Sequence, residues 1–282
     1  MEIIRTPEAM QRRALELKRA GRTIGLVPTM GFLHEGHLSL LRLARARCDV
    51  LVVSIFVNPS QFGPAEDLDA YPRDFQQDEK LCAQEGVDMI FHPEAGTMYS
   101  DDASVWIDEE LLSRGLCGAS RPGHFRGVCT VVAKLFNLVQ PDLAAFGEKD
   151  AQQLRIIERM VRDLNFPVEI IRGPIVREPD GLAMSSRNKY LSATQRNDAL
   201  CLQRALGRAR ELVQKGVVDT AVLRQAMVEL INEVPEACID YIEFIDDESL
   251  APDEIIKDRT LVAVAVKFGT TRLIDNAILN VH

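Results

Sequence analysis

No apolar run among the 282 residues approaches the ~20 consecutive positions that a membrane-spanning helix needs. The opening residues Met1-Glu2-Ile3-Ile4-Arg5 carry an acid early and lack an apolar stretch before a small-residue cleavage site, so no secretory leader is expected. Basic charge is scarce: 33 Lys and Arg stand against 42 Asp and Glu, a net charge of −9. That balance argues against nucleic-acid binding through the overall field, and any anion site must be locally basic. The six cysteines (Cys48, Cys82, Cys117, Cys129, Cys201, Cys238) are scattered and form no CxxC pair. They suit reduced, mostly buried thiols in a cytoplasmic protein rather than a disulfide framework or a zinc ribbon. The chain also lacks internal repeats and low-complexity stretches.

Hydrophobic residues at 46% and charged residues at 27% are those of a globular protein able to bury a substantial core. The length suits two domains. Residues 23–27 form an apolar run, followed by the turn Pro28-Thr29-Met30-Gly31 and an apolar-periodic segment from Leu38. Residues 49–57 are continuously apolar and β-branched, as in a parallel strand covered on both faces. Between them, 37–47 places Leu40, Leu41, Leu43 and Ala44 inward and Arg42, Arg45 and Arg47 outward, giving a right-handed βαβ unit. A helix over 74–85 and a strand over 87–91 follow. A buried helix over 127–139 is stopped by Pro141, then come a strand over 143–146, a helix over 151–164 and a strand over 168–171. The fold class is α/β: a Rossmann-like doubly wound parallel sheet, with ligands at the carboxyl ends of its strands. Near Glu178-Pro179-Asp180-Gly181 the texture changes. Helices over 193–215 and 220–233 precede strand-like runs at 239–245, 261–267 and 273–280, the last two joined by the hairpin-sized loop Phe268–Arg272. The expected division is 1–178 and 179–282, the second a smaller α+β domain.

Five clusters fall at expected strand ends or at the domain junction. His34-Glu35-Gly36-His37 opens a helix after a strand and a glycine turn, where unpaired amide groups and the helix dipole favour a phosphate. The two imidazoles are three residues apart on one helical face. A zinc site would need a third ligand, and His92, His124 and His282 form no obvious set. Gly147-Glu148-Lys149-Asp150 offers Lys149 at a strand end, while Asp150 and Gln153 have capping-box spacing. Met184-Ser185-Ser186-Arg187 sets hydroxyls beside a guanidinium in a loop, with Ser192 and Gln195 spaced to cap the next helix. Gln61, in Asn58-Pro59-Ser60-Gln61-Phe62-Gly63, offers donors and an acceptor to a pocket. The stretch Arg121–Gly127 supplies either anion contacts or a cap for the helix after it.

These segments, with Asp67-Leu68, Tyr71-Pro72-Arg73 and Asp180-Gly181-Leu182-Ala183 in order between them, closely resemble the pantothenate synthetases (pantoate–β-alanine ligases) over essentially the whole chain. HxGH alone marks only the wider nucleotidyltransferase superfamily, and Met-Ser-Ser-Arg resembles that superfamily's second signature. The resemblance implies ATP-dependent condensation of (R)-pantoate with β-alanine through pantoyl adenylate, releasing diphosphate and AMP. It implies Mg²⁺, with ligands it does not name, and a homodimer. By position it implies an ATP site of Met30, Gly31, His34, His37, Gly147, Glu148, Lys149, Asp150, Met184, Ser185, Ser186 and Arg187, with the Val176 backbone at the adenine. His34, His37, Lys149 and Arg187 would act on the phosphates, His37 as proton donor. Gln61 and Gln153 would hold pantoate, and Gln61 β-alanine after it. Phe32 stands where the family commonly has Ala, Ala151 where an aromatic is common, and Ser60 where Met or Thr is usual; none of these changes removes a charged or donor group.

Two alternatives stay within nucleotide binding: an adenylyl- or cytidylyltransferase that needs no amine, and a nucleotide-sensing module that binds without turnover. A hydrolase using His34 and His37 on a metal is a third. The adenylate is hydrolysable, so the second domain, hinged near Pro179–Gly181, is expected to act as a lid that excludes water. ATP and pantoate together should then slow limited proteolysis; an unchanged cleavage rate would reject the lid.

Overall fold

In the computed structural model, which describes residues 1–64 and 66–281, the chain divides into two compact units. The first contains Met1–Glu148 and Gln153–Pro174, the second Lys149–Gln152 and Ile175–His282. The main division thus falls after Pro174 rather than after residue 178. The segment past it is tied to the second unit: Arg177 bridges Ala183 in antiparallel fashion and forms a bidentate pair with Asp275. His282, weighed above as a metal ligand, lies outside the described residues.

The first unit runs β1 (Glu2–Ile4), α1 (Pro7–Arg19), β2 (Ile24–Thr29), α2 (Glu35–Arg45), β3 (Val50–Ile55), α3 (Phe75–Gln84), β4 (Met89–Phe91), α4 (Ala95–Met98), α5 (Leu116–Ser120), α6 (His124–Val139), β5 (Leu143–Gly147), α7 (Ala151–Asp163) and β6 (Glu169–Gly173). Among the described residues, its sheet is six-stranded and parallel, in the order β1-β4-β3-β2-β5-β6. All six residues of β3 are buried, as its unbroken apolar run requires. Helix α2 buries Leu38, Leu40, Leu41 and Ala44 against Val27, Leu51, Val53 and Ile90. The chain winds outward from β2 in both directions, so the switch point lies between β2 and β5, where ligands of such sheets bind.

The second unit carries α8 (Ala193–Asp198), α9 (Cys201–Gln214), α10 (Thr220–Asn232) and the antiparallel meander β7 (Ala237–Asp246), β8 (Thr260–Phe268) and β9 (Thr271–Leu279). Leu202, Leu206, Leu223, Met227, Phe244 and Val264 are buried in its separate core.

Four local differences from expectation have local causes. β1 and α1 lack a strong pattern of their own; β1 is three residues long and is held by pairing to β4. α6 begins at His124, not Gly127, because left-handed Gly123 (φ +80°) ends the loop and releases the helix at once. The expected 193–215 helix is two: the low-propensity pair Asn197-Asp198 precedes a tightening in which Leu200 and Leu202 bond three residues back, to Asn197 and Ala199. The last hairpin is tighter than expected, since Phe268 pairs directly with Thr271.

Helix α6 crosses the short 3₁₀ turn Pro59–Gln61 at Gly127. A Cβ there would lie 2.3 Å from the Ser60 carbonyl oxygen and 2.7 Å from Gln61 Cα. Both are backbone atoms and cannot swing away. Gly127→Ala should therefore destabilise the protein by about 1–3 kcal/mol through overpacking, seen as a lower urea midpoint; an unchanged midpoint would show that the helix can retreat at no cost.

Candidate functional site

The carboxyl end of β2 is shaped by its own side chains. The Thr29 hydroxyl donates to the Ser54 carbonyl (2.8 Å) and accepts from the Gly31 amide (3.1 Å). Gly31 (φ +83°) and Phe32 (φ +53°) then take successive left-handed conformations. The turn is held from α3 by Asp78, which sequence reasoning missed. Its two carboxylate oxygens accept the amides of Phe32 (2.8 Å) and Leu33 (2.7 Å). The available signal was a charge on the inner face of α3, one turn before buried Cys82. Asp78 is 2% exposed, and burial pushes its carboxyl above the usual range by more than the two amides pull it down.

His34 and His37 come together at the start of α2, their ring centroids 4.1 Å apart. His34 is the N-cap, and its Nδ1 accepts the Gly36 amide at 3.2 Å. His37 is at N3, and its Nδ1 accepts the His34 amide at 3.3 Å. This is a capping box made from two imidazoles instead of a hydroxyl and a carboxyl. The expectation of bare amides at this helix start is corrected: those of His34 and Gly36 are taken by the rings. A ring nitrogen that accepts an N–H bears no proton, so each imidazole is neutral and carries its proton at Nε2. Glu35 between them is paired with Arg42, away from the rings.

At the end of β3 the 3₁₀ turn brings Gln61 beside Met30, with Nε2 at 3.4 Å from the thioether sulfur. The stretch Arg121–Gly127 clamps this turn, and the charge of Arg121 is engaged by Glu66. Arg121 forms a bidentate pair with Glu66 (2.7 Å each) and donates to His124 Nε2 (2.9 Å). His124 Nδ1 is 2.8 Å from the Gln61 carbonyl. Arginine only donates, so His124 accepts at Nε2 and donates from Nδ1. Burial pushes the Glu66 carboxyl up, but Arg121 more than offsets it and the net shift is downward.

After β5, Glu148 accepts from buried Arg155 at 2.6 Å. Gln153 follows in the first turn of α7.

In the second unit, Lys149 has its ammonium 3.8 Å from Asp150, and its carbonyl accepts from Asn276 at 3.0 Å. Val176 and Met184 face each other across a narrow loop, with the Met184 amide donating to the Val176 carbonyl at 3.0 Å. Left-handed Gly181 (φ +97°) turns that loop, and the pairing of Arg177 with Asp275 (2.6 and 2.9 Å) anchors it. Ser185 caps the 3₁₀ helix Ser186–Tyr190, its hydroxyl accepting the Arg187 amide at 3.2 Å. Asn188 braces the loop through Glu178 (2.8 Å) and the Ala183 carbonyl (3.2 Å). Asp275 and Asn276 sit far from these motifs in sequence, and only the folded register reveals them. Ser192 and Gln195 do form the expected capping box.

Among the described residues, no group of three His, Cys, Asp or Glu side chains could hold a metal ion. No helix among them is long and apolar enough to cross a membrane. All six thiols are free, and burial pushes Cys82 and Cys129 up to about 12, which makes them unreactive.

The family model described as pantoate-beta-alanine ligase matches residues 2–278. A pantothenate synthetase of Thermotoga neapolitana is 56% identical over 279 residues, covering 99% of this chain and 100% of that protein. The crystal structure of pantothenate synthetase from Thermus thermophilus superposes with a TM-score of 0.93 at 45% identity, covering 98% of this chain and 99% of that one. The pantoate-beta-alanine ligase of Francisella tularensis, solved with beta-gamma ATP and beta-alanine, gives a TM-score of 0.78 at 34% identity over 99% of this chain and 97% of that one.

Asp78 generates a pH-dependent test. A carboxyl whose folded value is raised above its ordinary 3.8 contributes stability that is whole below 3.8 and lost as pH rises through the folded value. Asp78→Asn removes that titration and turns an NH₂ toward one of two buried amides, a cost of about 1–3 kcal/mol. Wild type should exceed the variant in unfolding free energy at pH 4, by a gap that narrows toward pH 7. Urea midpoints measure this; a gap that widens with pH would mean that the amides, not burial, control the carboxyl.

Proposed function

The chain belongs to the pantoate–beta-alanine ligase family, and from that membership we propose which of its groups carry the reaction. The reaction is the ATP-dependent condensation of (R)-pantoate with β-alanine to pantothenate. The pantoate carboxylate attacks the α-phosphorus of ATP, expelling diphosphate and leaving pantoyl adenylate. The β-alanine amine then attacks the acyl carbon and expels AMP.

The observation that carries the assignment of roles is the imidazole capping box. Adenylation raises negative charge on the α-phosphate and on the departing diphosphate. Preorganised donors aimed at that charge lower the barrier without covalent work by the protein. His34 and His37 are such donors: their Nδ1 atoms are fixed on helix amides, so a proton is held at each Nε2. His37 is proposed to donate to the phosphates as the bond to diphosphate breaks. Met30 and Gly31 would line the nucleotide site beside them. Lys149 and Arg187 are proposed as phosphate ligands. Gly147, Glu148, Asp150, Met184, Ser185 and Ser186 would complete the ATP contacts, with the Val176 backbone at the adenine. Gln61 and Gln153 are assigned to pantoate, and Gln61 afterwards to β-alanine.

A Mg²⁺ ion is proposed as a companion of the ATP phosphates, where it neutralises charge. Among the described residues no cluster of His, Cys, Asp or Glu would hold it alone. We further propose a cytoplasmic homodimer; the six free thiols suit a reducing compartment.

Pantoate-dependent ATP–pyrophosphate exchange, followed by AMP release on adding β-alanine, tests the reaction. His37→Glu isolates the donor role, because Glu at N3 preserves a capping box and has no N–H to donate. Exchange should fall by about 10²–10³-fold, as for loss of one preorganised donor, with thermal stability unchanged. Exchange at the wild-type rate would remove His37 from the chemistry.

A further inference from the structure

Gln61 can present either end of its amide to a ligand, and its neighbours decide which. Asn58 is 1% exposed and lies directly behind it. Asn58 Oδ1 accepts from the Ser60 amide (3.3 Å), the Ser60 hydroxyl (2.9 Å) and the Tyr99 hydroxyl (2.9 Å). Asn58 Nδ2 donates to the Gly127 carbonyl (3.2 Å) and to Gln61 Oε1 (3.0 Å). An amide N–H only donates and a carbonyl only accepts, so Ser60 and Gly127 together fix which end of Asn58 is oxygen. That in turn fixes Gln61: its oxygen faces Asn58, and its NH₂ faces Met30 Sδ at 3.4 Å. A thioether is a weak acceptor, so the NH₂ is poorly matched until an oxygen arrives. The backbone of Gln61 is held as firmly, by His124 at its carbonyl and by the close crossing of Gly127.

We propose that Asn58 is a positioning residue which sets the polarity of the Gln61 amide, so that the site recognises the acceptor oxygens of a hydroxy acid. This rests on the assignment of Gln61 to pantoate. Only a donor can be presented, which selects a carboxylate or hydroxyl oxygen and rejects an analogue with an N–H in its place.

Asn58→Asp tests this by exchanging the NH₂ for an oxygen of equal size. An ionised Asp must accept, so Gln61 turns its NH₂ inward and offers its carbonyl to the substrate. In pantoate-dependent pyrophosphate exchange at pH 8.5, KM for pantoate should rise about 30-fold, within the range for a mispaired buried group. KM for ATP should stay within about threefold, a separation that general disorder would not give. A buried carboxyl titrates well above its ordinary value. Lowering the pH to 6 should therefore restore an O–H donor toward Gln61 and bring KM for pantoate back toward wild type. A KM for pantoate near the wild-type value at both pH values overturns the relay. So does a raised value that ignores pH, which marks steric damage alone. Should Asn58→Asp fail to fold, wild type decides: pantoate should shift the NMR signal of the Gln61 side-chain NH₂, assigned by its loss in Gln61→Glu. An unshifted signal overturns the proposal. Wild-type exchange that ignores pantoate overturns the functional reading and the relay together, whereas intact exchange with an unaffected variant overturns the relay alone.

Discussion

A helix must find partners for its first amides, and everything at this site follows from how α2 finds them. Most helices use a hydroxyl or carboxylate, which ends the matter. Here two imidazoles do it. Each takes an amide at one nitrogen and keeps a proton on the other side of the ring. The donor capacity of the helix end is thereby passed to two ring N–H groups, which can exchange protons as an amide cannot. The same bonds settle the tautomer, the charge and the direction of both rings. Zinc binding would need an unprotonated nitrogen where these rings keep a proton, so the arrangement favours donation over ligation.

The parts of the fold that were legible in the sequence are those specified by short-range pattern. The buried run of β3 and the inward leucines of α2 fixed the central βαβ unit, and Pro141 marked the end of α6. Motifs marked the proposed donors: His34 and His37, Gln61, Lys149 and Ser185–Arg187. Hidden from the sequence were the residues that hold those donors still. Asp78 acts on a turn 46 positions before it, His124 on a carbonyl 63 positions before it, and Asn276 on one 127 positions before it. No periodicity links such pairs; they become neighbours only when the sheet order is set. Arg121 and Glu148 showed the converse. Arg121 looked available for anion contacts and Glu148 for the nucleotide, and ion pairs with Glu66 and Arg155 engage them.

The supporting residues share one logic. His34, His37, His124 and Asn58, each capable of more than one hydrogen-bonding state, are met by groups that have only one. Backbone amides face the imidazole nitrogens of α2, an arginine faces His124, and a carbonyl and an amide face Asn58. Ambiguity is removed outside the site, so that ligands meet a single pattern of donors and acceptors. This is preorganisation achieved by hydrogen-bond parity rather than by rigidity of the chain alone.

Phe32 takes a left-handed backbone, and that conformation limits which side chains the position tolerates. Asp78 grips the amides on either side of the Phe32 α-carbon. What the turn does forbid is branching at Cβ, where a left-handed backbone becomes severely crowded. Valine, isoleucine and threonine are thus strained at position 32 by their shape close to the main chain.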